Sequence, residues 1–245
     1  MSTLFISDLH LQARHPAMAH GFIHFLQHQA AHAEALYILG DFFEFWIGDD
    51  FQTEFETHIM QALKNLTEQG TPVYFMHGNR DFLIGNTFAE KTGITLLADP
   101  TVIDLYGTRT LLMHGDSLCT ADTGYMQFRQ MVRNPAWQQQ ILAKSVEERL
   151  ALAQSIRSES QQGNSMKADD IMDVTEEEVV RVMEQHGVQQ LIHGHTHRPA
   201  VHDLVVNQAP AKRWVLGDWS ETQGWKITAT EHQWALEAFP LSTTA

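Results

Sequence analysis

Short apolar runs recur along the chain, and each one runs into a polar group. Thr3-Leu4-Phe5-Ile6-Ser7 leads to Asp8-Leu9-His10, and Ala35-Leu36-Tyr37-Ile38-Leu39 leads to Gly40-Asp41. Val73-Tyr74-Phe75-Met76 leads to His77-Gly78-Asn79-Arg80-Asp81, and Thr110-Leu111-Leu112-Met113 to His114-Gly115-Asp116. Gln190-Leu191-Ile192 leads to His193-Gly194-His195-Thr196-His197. Apolar runs this short predict buried strands. Between them, residues 16–33 and 54–69 read as helices, the first with Phe22, Phe25 and Leu26 on its apolar side and the second stopped by Gly70. Strands separated by helices point to a layered α/β fold, with ligands beyond the carboxyl ends of the strands. Residues 120–170 break the series: they are helical in pattern, hold no strand candidate, and carry more apolar side chains than a connector needs. After Pro199 the pattern becomes strand on strand, with Ala200–Leu204, Trp214–Leu216, Trp225–Ala229 and Trp234–Phe239 expected to form an antiparallel second sheet.

Composition narrows the function classes. The 245 residues are 43% hydrophobic, enough for a real core, and no apolar run reaches membrane-spanning length. The opening residues lack a basic segment and a cleavage site, so no signal peptide is expected. The lone Cys119 rules out an internal disulfide and fits a reducing, cytoplasmic setting, where it reads as a small buried hydrophobe. A net charge of −14 argues against a general nucleic-acid binder and suits a chain that gathers divalent cations.

The polar strand ends supply candidate metal ligands. In an extended segment His193, His195 and His197 share a face, and Gly194 allows close approach of the backbone. Asp8, His10, Asp41, Asn79 and His114 add carboxylate, carboxamide and imidazole, with no thiolate. Such a set suits Mn²⁺, Fe²⁺ or Zn²⁺ in five- or six-coordinate sites. The groups are too many for one ion, and two ions about 3.5–4 Å apart, bridged by a carboxylate, are the usual arrangement for phosphoester chemistry. The stripe His20, His24, His28 and His32 has no accompanying carboxylate and reads as a solvated helix face. Trp46 and the run Phe42, Phe43 and Phe45 are expected to pack the core beside Asp41.

Asp8-x-His10, Gly40-Asp41-x-x-Glu44, Gly78-Asn79-x-Asp81, His114 and Gly194-His195-x-His197, in that order, resemble the calcineurin-like metallophosphoesterase superfamily. The resemblance implies a four-layer α/β/β/α sandwich over residues 1–245, with a helical cap inserted at about 120–170. It implies one ion on Asp8, His10, Asp41 and His197 and another on Asp41, Asn79, His114 and His195. Asp41 would bridge the two, and Asp41, Asn79, Arg80 and His114 would be the catalytic group. His193 falls outside the ligand pattern. One departure is informative: the superfamily usually places His after Gly-Asn, where this chain has Arg80. Arg offers a fixed charge and a donor fork rather than a proton, which suits a pyrophosphate bond with a phosphate leaving group.

Gly-Asn-Arg-Asp-Phe, Leu-Gly-Asp-Phe-Phe-Glu-x-Trp-Ile-Gly-Asp-Asp, His-Gly-Asp-x-Leu-Cys-x-x-Asp and His-Gly-His-Thr-His-Arg-Pro together resemble the UDP-2,3-diacylglucosamine hydrolase family of bacterial lipid A biosynthesis. That resemblance implies hydrolysis of UDP-2,3-diacylglucosamine at the α-phosphorus to lipid X and UMP, by water activated between two Mn²⁺. It implies substrate contacts at Asn79, Arg80, Asp122, Ser160, Asn164, Lys167 and His195, with Arg157 a further contact. It also implies an acyl-sheltering cap; because such a substrate lives in a membrane and the chain has no spanning run, peripheral attachment to the cytoplasmic face of the inner membrane through the insertion is expected, with Lys144, Arg149, Arg157 and Lys167 facing anionic headgroups. The alternatives are another two-metal nucleotide pyrophosphatase or phosphodiesterase on the same scaffold, and a binding module that has lost its metals.

Overall fold

The computed structural model describes the backbone of residues 1–165 and 173–241, and side chains except those of 159–165. Lys167 lies outside the described residues, as do the side chains of Ser160 and Asn164. The first sheet is built on three parallel strands, β1 (Thr3–Ile6), β2 (Ala35–Leu39) and β3 (Val73–Met76). Between them run α1 (Pro16–His28) and α2 (Glu54–Glu68). After α3 (Asn86–Thr92), the short β4 (Thr95–Leu97) joins the edge beside β3. The second sheet starts with the hairpin β5 (Thr101–Leu105) and β6 (Thr108–Leu112). The chain then forms α4 (Thr123–Val132), α5 (Pro135–Leu142), α6 (Val146–Ser165) and α7 (Glu176–His186), and returns as β7 (Gln190–His193) parallel to β6. The last strands are β8 (Ala200–Val206), β9 (Ala209–Val215), β10 (Gln223–Ala229) and β11 (Trp234–Pro240).

Alternation along the strands fixes the layers. On β1 and β2, Leu4, Ile6, Leu36 and Ile38 face α1, α2 and α3, while Phe5 and Leu39 face the other sheet. On β6 and β7, Leu112 and Ile192 meet them between the sheets, and Leu111 and Leu191 turn outward onto Val179, Val182 and Met183 of α7. The result is the expected α/β/β/α sandwich, with the central strands β1, β2, β3 and β7 largely buried and the edge strands β4, β5, β8 and β11 more exposed.

The expected antiparallel C-terminal sheet does not form as one unit. β8 and β9 extend the second sheet, with β9 parallel to β7, whereas β10 and β11 extend the first sheet, with β10 antiparallel to β1. Splitting the pairs lets Trp214 of β9 and Trp234 of β11 meet at 5.6 Å across the inter-sheet core. β4 and β5 were not anticipated. The helix expected over 16–33 ends at His28 and is followed by a single 3₁₀ turn, Ala30–His32. Residues 120–165 hold only helices and loops, as the pattern implied. Phe42, Phe43 and Trp46 pack in the core, but Phe45 is 42% exposed and does not join them.

Candidate metal centre and active site

Three strand ends of one sheet and two of the other meet at one place, and the backbone there is unusual. Asp8, His10, Asp41, His195 and His197 all have left-handed φ values, 56°, 48°, 51°, 70° and 56°. Non-glycine residues rarely adopt this conformation, which costs of order 1 kcal/mol or more at each position. Neighbouring backbone bonds hold it: Asp8 N–H donates to Gly40 O (3.0 Å), His10 N–H to Asp41 O (2.9 Å) and Gly194 N–H to His114 O (2.9 Å). Two glycines allow the close approach. A Cβ on Gly78 would lie 2.1 Å from Asp41 N, and one on Gly194 would lie 2.2 Å from Asp8 Oδ2.

The candidate ligands form two groups, Asp8/His10/His197 and Asp41/His114/His195, each with ligand atoms within 4.8 Å of one another. Asp41 faces both: its Oδ2 is 3.8 Å from His10 Nε2 and its Oδ1 is 3.7 Å from His114 Nε2. Asn79 Oδ1 lies 3.0 Å from His114 Nε2 and 2.9 Å from His195 Nδ1. His10 Nε2 and His197 Nε2 are 3.2 Å apart.

The donor set fits divalent cations. Asp8 is fully buried, and its Oδ2 accepts from Ser7 Oγ (2.6 Å) and His195 N–H (2.8 Å). Its Oδ1 accepts no hydrogen bond among the described residues and sits 3.5 Å from His197 Nε2, an orphaned oxygen aimed at the cluster. His114 Nδ1 lies 2.8 Å from Leu39 O, a contact that requires the proton on Nδ1 and leaves the Nε2 lone pair for a cation.

The carboxylates give the site a surplus of negative charge, which a cation would neutralise and which otherwise favours protons on neighbouring imidazoles. Burial opposes the charge on Asp8, but His197, His114 and His10 together hold its carboxyl below the usual range. Burial lowers the His197 imidazole, yet Asp8, Asp218 and Asp41 raise it to about 9. His195 is pushed down to about 4 by burial and by His114, so it is a neutral nitrogen donor.

Other expected residues take separate places. His193 is fully buried, with Nδ1 2.8 Å from Gly194 O and Nε2 3.2 Å from Arg213 Nη1, outside both groups. Asp122 caps α4, its Oδ1 accepting from Tyr125 N–H at 3.0 Å, so at least one oxygen is engaged in the fold. Arg80 and Arg157 line a cavity of about 320 Å³ that also takes in Asn79 and Glu44. Its other walls are apolar, with Trp46, Phe82, Phe128, Trp137, Leu152 and Ile156 drawn from the 44–47 and 79–83 loops and from α4–α6. Arg80 Nε is buried there without a hydrogen-bond partner among the described residues. Arg149 corrects an expectation: it is 3% exposed and clamps Asp50 and Ile47 O, so it does not face solvent or headgroups. Glu147 and Glu148 precede it and Leu150 follows, and only the tertiary contact with Asp50 reveals the burial.

Three contributors were not singled out from sequence. Asp81 is buried and accepts from Phe42 N–H (2.7 Å) and Gly78 N–H (2.8 Å), tying the Asp41 loop to the Asn79 loop. Its place in Gly78-Asn79-x-Asp81 was the available signal. Tyr125 donates to Asp116 Oδ2 (2.7 Å), and its ring lies 5.8 Å from that of His195. Arg133 at the end of α4 donates to His77 O (3.2 Å) and Gly78 O (2.9 Å), bracing the loop that carries Asn79.

Comparisons with known proteins place the chain in a family. A family model described as calcineurin-like phosphoesterase matches residues 1–199. A protein named UDP-2,3-diacylglucosamine hydrolase from Cellvibrio japonicus is 56% identical over 230 residues, covering 94% of this chain and 95% of that protein. Proteins of the same name from Pseudomonas aeruginosa (55% identical; 98% and 100% covered) and Marinobacter nauticus (51%; 99% and 99%) match over nearly their full lengths. With the matched model spanning the motifs that build both ligand groups, the chain belongs to the calcineurin-like phosphoesterase family, and within it groups with the proteins named UDP-2,3-diacylglucosamine hydrolase.

Proposed function

We propose that this chain hydrolyses UDP-2,3-diacylglucosamine at the α-phosphorus, giving lipid X and UMP, with two Mn²⁺ as its ions. The observation that carries the reading is the apolar cavity opening onto Asn79 and Arg80 beside the two ligand groups. An acylated sugar pyrophosphate needs both halves: a cation cluster for the phosphates and a dry, apolar wall for the chains. Asp8, His10, Asp41 and His197 would hold one ion, and Asp41, Asn79, His114 and His195 the other. Bound divalent ions lower the pKa of water and neutralise developing phosphate charge. Arg80 brings a fixed charge to the departing phosphate, and its unpartnered Nε is a donor free to meet a phosphate oxygen. Helices α4–α6 act as the cap, and Arg157, Asp122, Ser160, Asn164 and Lys167 contribute contacts to the sugar and phosphates.

Membrane attachment belongs to the same proposal. Among the described residues no helix is long and apolar enough to cross a membrane. Exposed Met131 on α4, Leu142 ending α5 and Phe45 at the cavity, with exposed Lys144 two residues after Leu142, suit shallow insertion of the cap at an anionic surface. The test is a metal-stripped assay with Mn²⁺ restored, run on the diacylated substrate and on UDP-N-acetylglucosamine in ¹⁸O-water. Label in UMP with strong preference for the acylated substrate is expected. Equal turnover of both would overturn the lipid assignment and favour a general nucleotide pyrophosphatase.

A further inference from the structure

Glu44 stands outside both ligand groups, yet it meets the machinery on two sides. Its side chain is nearly buried, with Oε2 3.4 Å from His10 Nδ1, a buried nitrogen that makes no hydrogen bond among the described residues, and Oε1 3.2 Å from Nε of Arg157 on α6. Its backbone is zipped to the loop that carries His10. His10 N–H donates to Asp41 O (2.9 Å), Leu11 N–H to Phe42 O (2.9 Å) and Glu44 N–H to Leu11 O (3.2 Å). The Glu44 backbone therefore cannot shift relative to the His10 loop without breaking that short ladder.

The chemistry of an imidazole ligand gives this contact a purpose. His10 turns Nε2 toward His197 and Asp41, so a cation there requires the proton on Nδ1. A carboxylate beside Nδ1 selects that tautomer, fixes the ring's rotation and raises its basicity. A nearly buried carboxylate needs a counter-charge of its own, and Arg157 delivers one from α6.

We propose that Glu44 is a positioning residue that holds His10 in its metal-binding tautomer and pose, and that Arg157, by holding Glu44, couples the seating of α6 to cation affinity at Asp8/His10/His197. The inference rests on the metal-dependent reading above and extends it from the ligands to a helix that carries none of them. A substitution at Arg157 thus changes cation affinity from a distance.

The test uses the full chain, stripped of metal and titrated with Co²⁺, whose visible absorption reports histidine ligation. His10→Asn identifies the binding step that belongs to Asp8/His10/His197. Glu44→Gln is expected to weaken that step by about 10–100-fold and spare the other. Arg157→Gln is expected to weaken the same step by about 5-fold or more, and the double variant to be no weaker than Glu44→Gln alone. If Glu44→Gln does not fold, Glu44→Asp, which withdraws the carboxylate by one methylene, is expected to weaken the same step. Unchanged Co²⁺ affinity in the folded Glu44 variant overturns the positioning role, and additive losses overturn the coupling. A wild-type chain that takes up no Co²⁺ overturns the metal-dependent reading itself.

Discussion

Replacing Asp81 by Asn separates two opposing effects of one buried carboxylate. Asp81 is fully buried and accepts two backbone N–H groups, from Phe42 and Gly78. Asn keeps one acceptor and turns an amide donor toward the other N–H, as the protonated carboxyl does with its O–H, so both neutral side chains forgo about 1–3 kcal/mol relative to two accepted bonds. The charge runs the other way. Burial first, then repulsion from Asp41, raises the Asp81 carboxyl from 3.8 to about 6 against the pull of its two hydrogen bonds. Between those values the folded chain binds more protons than the unfolded one, so its stability falls as pH rises through the window. At 1.36 kcal/mol per pH unit, a rise from 3.8 to about 6 corresponds to about 3 kcal/mol, all of it lost above about pH 7. Asn carries no charge and escapes that loss. In urea titrations of metal-free protein, Asp81→Asn is therefore expected to be more stable than wild type by about 1 kcal/mol at pH 4.5 and by about 3 kcal/mol at pH 8. Metal-free protein is required, because a cation beside Asp41 would cancel the repulsion. Catalysis should fall at both pH values, since the link between the Asp41 and Asn79 loops is weakened. A stability difference that stays constant from pH 4.5 to 8 would refute the reasoning.

Other consequences follow from single contacts. Gly78→Ala places a methyl 2.1 Å from Asp41 N; overpacking costs of about 1–3 kcal/mol, read by thermal melting, should accompany loss of cation binding. Chelator treatment should lower the unfolding free energy by about 2.7 kcal/mol if the working metal concentration is 100 times the dissociation constant, and addition of metal should restore it. Cys119 is buried and its thiol is pushed up to about 12 by burial and the charges of Asp116, Asp173 and Asp122, so iodoacetamide at pH 8 should label it only after unfolding in urea. Phe128→Arg introduces a charge into the apolar cavity and should raise KM for the diacylated substrate while leaving Co²⁺ uptake unchanged.

The strands that carry the ligands were legible because local rules suffice for them. β1, β2, β3, β6 and β7 are short apolar runs that end in glycine or polar residues, and each delivers its ligand at its carboxyl end. The departure at Arg80 and the apolar excess of residues 120–165 were legible for the same reason: both are composition at known places along the chain. β4 and β5 were not, being three and five residues long with polar positions interspersed. Nor was the sorting of β8–β11 between two sheets, because alternation tells which side chains share a face and says nothing of which strand lies next door. The burial of Arg149 against Asp50 and the bridge from His10 through Glu44 to Arg157 join residues 34 to 147 positions apart, and the exposure of Phe45 depends on which segments pack beside it. The sequence by itself determined which chemistry the chain carries and at which strand ends. Only the tertiary structure decided which candidate ligands come within reach of one another, which cations are spent on the fold, and which carboxylate joins His10 to a helix lining the cavity, because those are contacts between distant segments that no local pattern encodes.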